Sequence, residues 1–368
     1  MTKNIYFTES STHRIDVSAF DGSNRAILIS SNLTSPRGLA LDPREGYLFI
    51  TDWGTDWGQE AKVLRSNMDG TNVQILAKDN VGWPNGITID FVTRKVYWID
   101  AKYHYIARMN YGGNEREMII EGKQYVSHPF AMTMLKGDLF FTDWLKKAVI
   151  RVGKSNSKEN FEIIVSNLRK PMDVRVISEE RQPTAPNPCT DGYGKKTHKC
   201  DQLCVIKAHN QYSCLCRPPF QLMSDGFTCQ RMDQFLLFAR SWQVRGISTN
   251  VSHTRDVMVP LLSLGSAVGL DYYASKDYVY FTDVKYFKIG RYQIDNRNAD
   301  VEWLIEDDLE KPSGIAVDWL GGNMYWTDTR VNRPSVICVS KLDGSFKKVL
   351  INEGLKEPRA LVVHPESG

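Results

Sequence analysis

Six of the seven cysteines, Cys189, Cys200, Cys204, Cys214, Cys216 and Cys229, fall within one short stretch, and Cys338 stands alone far downstream. Thiols crowded in this way form disulfides, which persist outside the reducing cytosol, so the working form of the chain belongs outside the cell. Six cysteines allow fifteen pairings, and the count does not choose among them. Cys338 lies in the β-like run Val336-Ile337-Cys338-Val339-Ser340 and reads as a small buried hydrophobe. Asn32-Leu33-Thr34 and Asn250-Val251-Ser252 match the glycan acceptor pattern and fit a secretory route. His104 and His128 carry groups that change charge between about pH 5 and pH 8. No Gly-rich phosphate cradle, paired-histidine metal motif or nucleophile elbow is present, so the sequence predicts no catalytic residues, no cofactor and no bound metal.

At 368 residues, 42% hydrophobic and 24% charged, the chain has the composition of globular protein and room for two or three domains. Its 46 basic and 43 acidic residues leave a net charge of +3, too little surplus for a nucleic-acid binder. No window approaches the ~20 apolar residues needed to cross a bilayer, and Met1-Thr2-Lys3-Asn4 does not open a signal peptide. No membrane contact by this stretch itself is expected.

The elements that must position these residues repeat. A tetrad of aromatic, aromatic or apolar, Thr-like and acidic residues recurs as Tyr6-Phe7-Thr8-Glu9, Phe49-Ile50-Thr51-Asp52, Tyr97-Trp98-Ile99-Asp100, Phe140-Phe141-Thr142-Asp143, Tyr280-Phe281-Thr282-Asp283 and Tyr325-Trp326-Thr327-Asp328. Within each half the spacing is 43 to 48 residues, the length of a four-stranded propeller blade. Ahead of the tetrads stand Pro36-Arg37-Gly38, Pro84-Asn85-Gly86 and Pro312-Ser313-Gly314, with Pro358-Arg359-Ala360 beginning another, and hairpin-turn pairs such as Asp69-Gly70 and Asp343-Gly344 recur as well. Each unit is a small antiparallel sheet, apolar on both faces, that must stack on neighbours to bury them. The fold class is all-β. The tetrad aromatics pack between blades, and the acidic fourth residue ties its strand end to adjacent backbone or to an arginine.

The single residue between Cys214 and Cys216 marks an EGF-like module, and resemblance to such modules implies the pairs Cys189–Cys204, Cys200–Cys214 and Cys216–Cys229. The run Pro183-Thr184-Ala185-Pro186-Asn187-Pro188 before its first cysteine lacks carboxylates, so the module is expected to hold no calcium and to be approached by a proline-stiffened segment. Tetrad, glycine-led strand, turn and following module together resemble the class B repeats of the low-density lipoprotein receptor and its large multi-propeller relatives, over nearly the whole chain. In that family six repeats close a propeller and an EGF module follows. Residues 1–183 then hold the last four blades of one propeller, with Met172-Asp173-Val174-Arg175-Val176 fitting its closing strand. Residues 184–231 are the EGF-like module, and 232–368 begin a second propeller through the degenerate tetrad Phe235-Leu236-Leu237-Phe238. One ring of seven units interrupted by the module is the alternative. The resemblance implies an internal piece of a longer type I plasma-membrane receptor, working at the cell surface and in endosomes.

It also implies a function without catalysis. Some calcium-holding propeller hydrolases share an Asn-Gly pair like Asn85-Gly86, but no supporting glutamate or catalytic histidine set accompanies it here. The expected activity is binding of protein ligands, lipoprotein or other extracellular cargo, by an endocytic receptor. Related propellers present aromatic surface at the positions of Trp53 and Trp83 and grip an extended ligand loop at that of Asn85. His104, in Lys102-Tyr103-His104-Tyr105-Ile106, and His128, in Ser127-His128-Pro129-Phe130, match positions used in the lipoprotein receptor for acid-triggered closure onto its own cysteine-rich ligand modules. Protonation would then attract the acidic calcium cages of such modules and displace cargo. A Wnt co-receptor region is the alternative, and a nidogen-like basement-membrane module a further one.

Overall fold

Along each tetrad strand successive side chains point to opposite faces, and the chain uses both. In Lys95–Asp100, Val96 and Trp98 enter one apolar cluster with Phe49 and Val63 of the preceding sheet, whereas Tyr97 and Ile99 enter another with Met132, Leu139 and Phe141 of the following one. All four residues are completely buried. Tyr280 and Phe281 divide in the same way. A sheet with two buried faces is the physical reason these strands read as continuous apolar runs.

The computed structural model describes residues 4–55, 60–155, 158–191, 193–249, 256–294 and 300–366. It divides into two compact units, Met1–Arg217 with Leu222–Cys229, and Pro218–Gln221 with Gln230–Gly368. The first unit contains four antiparallel meanders. A three-stranded blade (Asn4–Glu9, Arg14–Ala19, Ala26–Ile29) is followed by blades of four strands that begin at Ser35, Pro84 and Pro129 and end at Ala77, Glu121 and Val165. The second unit holds a two-stranded sheet (Phe235–Arg240, Gln243–Ser248) and two four-stranded blades, Ala267–Ile305 and Pro312–Ile351. The only described helices are three-residue turns at Glu179–Arg181 and Ala274–Lys276, and no described helix is long and apolar enough to cross a membrane.

The tetrad threonine joins neighbouring blades. Thr51 Oγ1 accepts the Gly38 N–H of its own blade at 2.8 Å and donates to the Asn85 carbonyl of the next at 2.7 Å. Thr282 links Gly269 to Ser313, and Thr327 links Gly314 to Arg359, in the same fashion. The glycine is required because the next inner strand lies against it: a Cβ on Gly38 would stand 2.5 Å from the Asn85 carbonyl oxygen, and one on Gly314 2.1 Å from that of Arg359. Met172 accepts the equivalent bond from Thr142 at 2.7 Å, so residues after Pro171 occupy the inner-strand position. They form no strand, because no described strand follows to pair with them.

The disulfides are Cys189–Cys204, Cys200–Cys214 and Cys216–Cys229. The bridged module packs on the first two blades: Leu203, Val205, Ile206 and Leu215 share a cluster with Ile15, Val17, Leu48 and Met68. Ser213 Oγ donates to the buried Asp69 carboxylate at 2.6 Å, and Asn4 Nδ2 to the Cys204 carbonyl at 2.8 Å. Gly46, at φ +72°, lies so close to the module that a Cβ would be 2.5 Å from the Lys207 carbonyl carbon.

Candidate ligand-binding surface

The tetrad aspartates set the rim. Asp143, fully buried, accepts the N–H groups of Ser127 and His128 at 2.7 and 2.9 Å, and those of Leu145 and Lys146 at 3.0 Å. Asp100 likewise takes Gly82, Trp83, Lys102 and Tyr103. Asp52 takes Thr34 and Ser35; burial pushes its carboxyl up, against the opposing pull of those N–H groups and of Lys62. Each carboxylate therefore holds the two residues before the inner-strand proline, and Asp100 and Asp143 also hold the second and third residues after their tetrads, at one blade end. Three such ends in the first unit carry rings.

Those rings form a continuous arc. Trp53 and Trp83 lie 6.2 Å apart between centroids, Trp83 and His128 6.3 Å, His128 and Trp144 5.2 Å, and Phe130 stacks on Trp144 at 4.9 Å. The guanidinium of exposed Arg37 covers the Trp53 ring at 4.0 Å, and Lys170 Nζ lies 5.9 Å from that of Trp144. Trp53 Nε1 donates to the Pro84 carbonyl and Trp144 Nε1 to that of Pro171, which fixes both indoles. Trp83 is 40% exposed. Beside the arc a cavity of about 370 Å³ is lined by Arg37, Asn85, Phe130, Asp173 and Arg175, among others. The aspartates that organise the arc are fully buried and occupied with backbone, so the exposed character is aromatic with cations at its two ends.

The sequence-predicted residues divide. Trp53, Trp83 and His128 come together in the arc. Asn85 does not present a free amide to solvent: it is 5% exposed, its Oδ1 accepts Trp53 Nε1 at 3.1 Å and its Nδ2 donates to the Pro129 carbonyl at 2.8 Å. Its place in the sequence, directly after Pro84, puts it between blades, where it positions Trp53. His104 sits at φ +59° in the turn after its tetrad, outside these ring contacts, with its carbonyl accepting the Gly122 N–H and its Nδ1 buried without a hydrogen-bond partner. Asn32 is exposed, and Asn250 lies outside the described residues. Cys338 is 1% exposed among apolar neighbours, and burial pushes its thiol up. His198, Cys200 and Cys204 bring ligand-type atoms within 4.8 Å of one another, but both sulfurs are in disulfides. Sequence reasoning missed Trp144 and Phe130. The signal was available, since Trp144 follows its tetrad as Trp53 does and Phe130 follows Pro129 as Asn85 follows Pro84.

Comparison with known proteins agrees with this architecture. The low-density lipoprotein receptor repeat class B matches at residues 3–43, 46–91 and 322–365. Low-density lipoprotein receptor-related protein 5 of Mus musculus is 38% identical over 88% of this chain and 19% of its own length. Low-density lipoprotein receptor-related protein 4 of Homo sapiens is 40% identical over 60% of this chain and 11% of its own length. The chain thus spans less than a fifth of these relatives. A crystal structure of a nidogen/laminin complex has a chain aligned at a TM-score of 0.38 with 34% identity, covering 44% of this chain and 62% of that one. The chain thus carries class B repeats on both sides of a disulfide-bridged module and is homologous over most of its length to low-density lipoprotein receptor-related proteins.

Proposed function

We propose that the first unit binds an extended segment of an extracellular protein ligand across the arc from Trp53 to Trp144, within an endocytic receptor of the type I plasma-membrane class. The single supporting observation is the arc itself. Four rings and a histidine are held by buried aspartates and indole hydrogen bonds, so they offer large contact area with little ordering cost on binding. Residues 1–183, 184–231 and 232–368 act in this reading as the last blades of one propeller, an EGF-like spacer and the first blades of another.

His128 supplies pH dependence. Its imidazole lies between Trp83 and Trp144, where a proton gained on passage to an endosome adds charge to the contact surface. The test measures binding of calcium-loaded, cysteine-rich modules of the lipoprotein-receptor type to the full chain at about pH 7.4 and about pH 5.5, with His128→Ala and His104→Ala. Tighter acid binding that is lost in H128A supports the reading; acid dependence unchanged in both variants removes the histidine role. A Wnt co-receptor region fits the same two relatives equally well, and cargo uptake as against signalling by the full-length receptor separates the two.

A further inference from the structure

The two units repeat the same turn between inner strand and tetrad strand. In the first, Asp90 Oδ1 accepts the N–H groups of Val92 and Thr93 at 3.0 and 3.2 Å; in the second, Asp318 Oδ1 accepts those of Leu320 and Gly321 at 3.1 and 2.7 Å. Asp90 pairs with Lys95 across its hairpin as Asp318 pairs with Asn323. Phe91 and Trp319 therefore occupy equivalent positions, as do Ile89 and Val317, and Thr88 and Ala316.

Phe91 is covered. The segment leaving the last blade of its unit brings Arg181 across it, with the guanidinium 5.0 Å from the ring centroid, Nη1 donating to the Ile89 carbonyl at 2.7 Å and Nη2 to Thr88 Oγ1 at 2.9 Å. Arg44 approaches the same ring, also at 5.0 Å. Trp319 has no such cover among the described residues and is 51% exposed. Where the first unit offers the arginine the Thr88 hydroxyl, the second has Ala316, but the neighbouring inner strand supplies a carboxylate: Asp271 Oδ2 accepts the Val317 N–H at 2.6 Å, and its Oδ1 accepts that of Tyr272 at 2.8 Å. Trp319 and the Val317 carbonyl thus stand at the positions of the ring and carbonyl that hold an arginine in the first unit, with the Asp271 carboxylate bonded to Val317 beside them.

We propose that Trp319, the Val317 carbonyl and Asp271 form a seat for the arginine of an extended polypeptide segment of the kind formed by residues 177–186. Indole is the best of the aromatic faces for a cation, and Asp271 adds a carboxylate where the neighbouring inner strand of the first unit has Ala40. The site is distinct from the aromatic arc and does not depend on it.

The test uses the full chain labelled with 5-fluorotryptophan, the Trp319 fluorine resonance being assigned by its absence in Trp319→Phe. A synthetic peptide of residues 177–186 is titrated in, alongside the same peptide with its arginine replaced by glutamine. The expected result is a saturable shift of the Trp319 resonance with the arginine peptide alone, and an affinity about two- to fivefold weaker in Asp271→Asn, the range of a partly exposed ion pair. A Trp319 resonance that stays in place at millimolar peptide, or that shifts equally with the glutamine peptide, overturns the proposal. An Asp271→Asn affinity equal to that of the parent overturns the carboxylate's part in it.

Discussion

Thr51→Val isolates the bond that locks one blade to the next. The substitution keeps shape and burial but removes an acceptor for Gly38 N–H and a donor to the Asn85 carbonyl, at 2.8 and 2.7 Å, in a residue with no exposed surface. Each buried group left without a partner costs about 1.5 kcal/mol. The extra buried methyl returns about 0.8 kcal/mol. The net loss is about 2 kcal/mol, or roughly a 30-fold rise in local opening at 1.4 kcal/mol per decade. Native-state hydrogen exchange resolves this locally: amides around Gly38 and in Pro84–Asp90 should exchange about 30-fold faster, while those of the second unit stay unchanged. The third tetrad provides a natural contrast, since Ile99 stands where the others have threonine and is completely buried. Ile99→Val should cost only the ~1 kcal/mol of a deleted methylene. If Thr51→Val accelerates exchange less than about threefold, the threonine link contributes little and stacking alone holds the blades.

Gly46→Val should release the disulfide-bridged module from the first two blades, because φ is +72° and the new Cβ would meet Lys207 backbone at 2.5 Å; limited proteolysis and exchange in Leu203–Lys207 report it, and unchanged protection there would show the contact to be dispensable. Burial, then the charge of Lys196, hold the His198 imidazole below its ordinary range, and its Nδ1 accepts the Cys200 N–H at 3.1 Å. A lowered histidine contributes stability that is present above the unfolded value near 6.5 and lost as pH falls from there towards the folded value. The module should therefore loosen on acidification, and His198→Gln should flatten that dependence in a pH series of chemical unfolding followed by exchange. Asp90 behaves oppositely in origin: burial raises its carboxyl, but bonds from Lys154, Thr93 and Val92 outweigh this and hold it below the usual range. Its contribution is present above the ordinary carboxylate value and lost as pH falls through the lower folded one, so Lys154→Met should make the Pro84–Glu121 blade open at higher pH than in the parent.

Much of this was written in the repeat. Two-faced burial of Tyr97 and Trp98 follows from their adjacency on a strand, and the anchoring of backbone by Asp100 and Asp143 follows from a carboxylate placed at a strand end. The glycine after the inner prolines Pro36, Pro84 and Pro312 was visible as punctuation, but its reason, backbone of the next blade 2.1 to 2.6 Å from a Cβ, is a tertiary fact. Asn85 shows the limit. Its residue type suits ligand binding, yet the approach of Pro129 and the indole of Trp53 bury it, and no local pattern encodes that approach. Trp144 shows the converse: its register relative to Asp143 repeats that of Trp53 to Asp52, and only comparing blades position by position exposes it. The second unit carries Val284 and Thr329 at that register, so the ring arc belongs to the first unit alone.

Selection of displayed peptides against the full chain tests the arc as the ligand surface most directly. Peptides so obtained should lose at least about tenfold in affinity for Trp83→Ala and for Trp144→Ala, the scale of aromatic hot spots, and bind Trp242→Ala as they bind the parent. Selected peptides that bind all three variants alike would contradict the account.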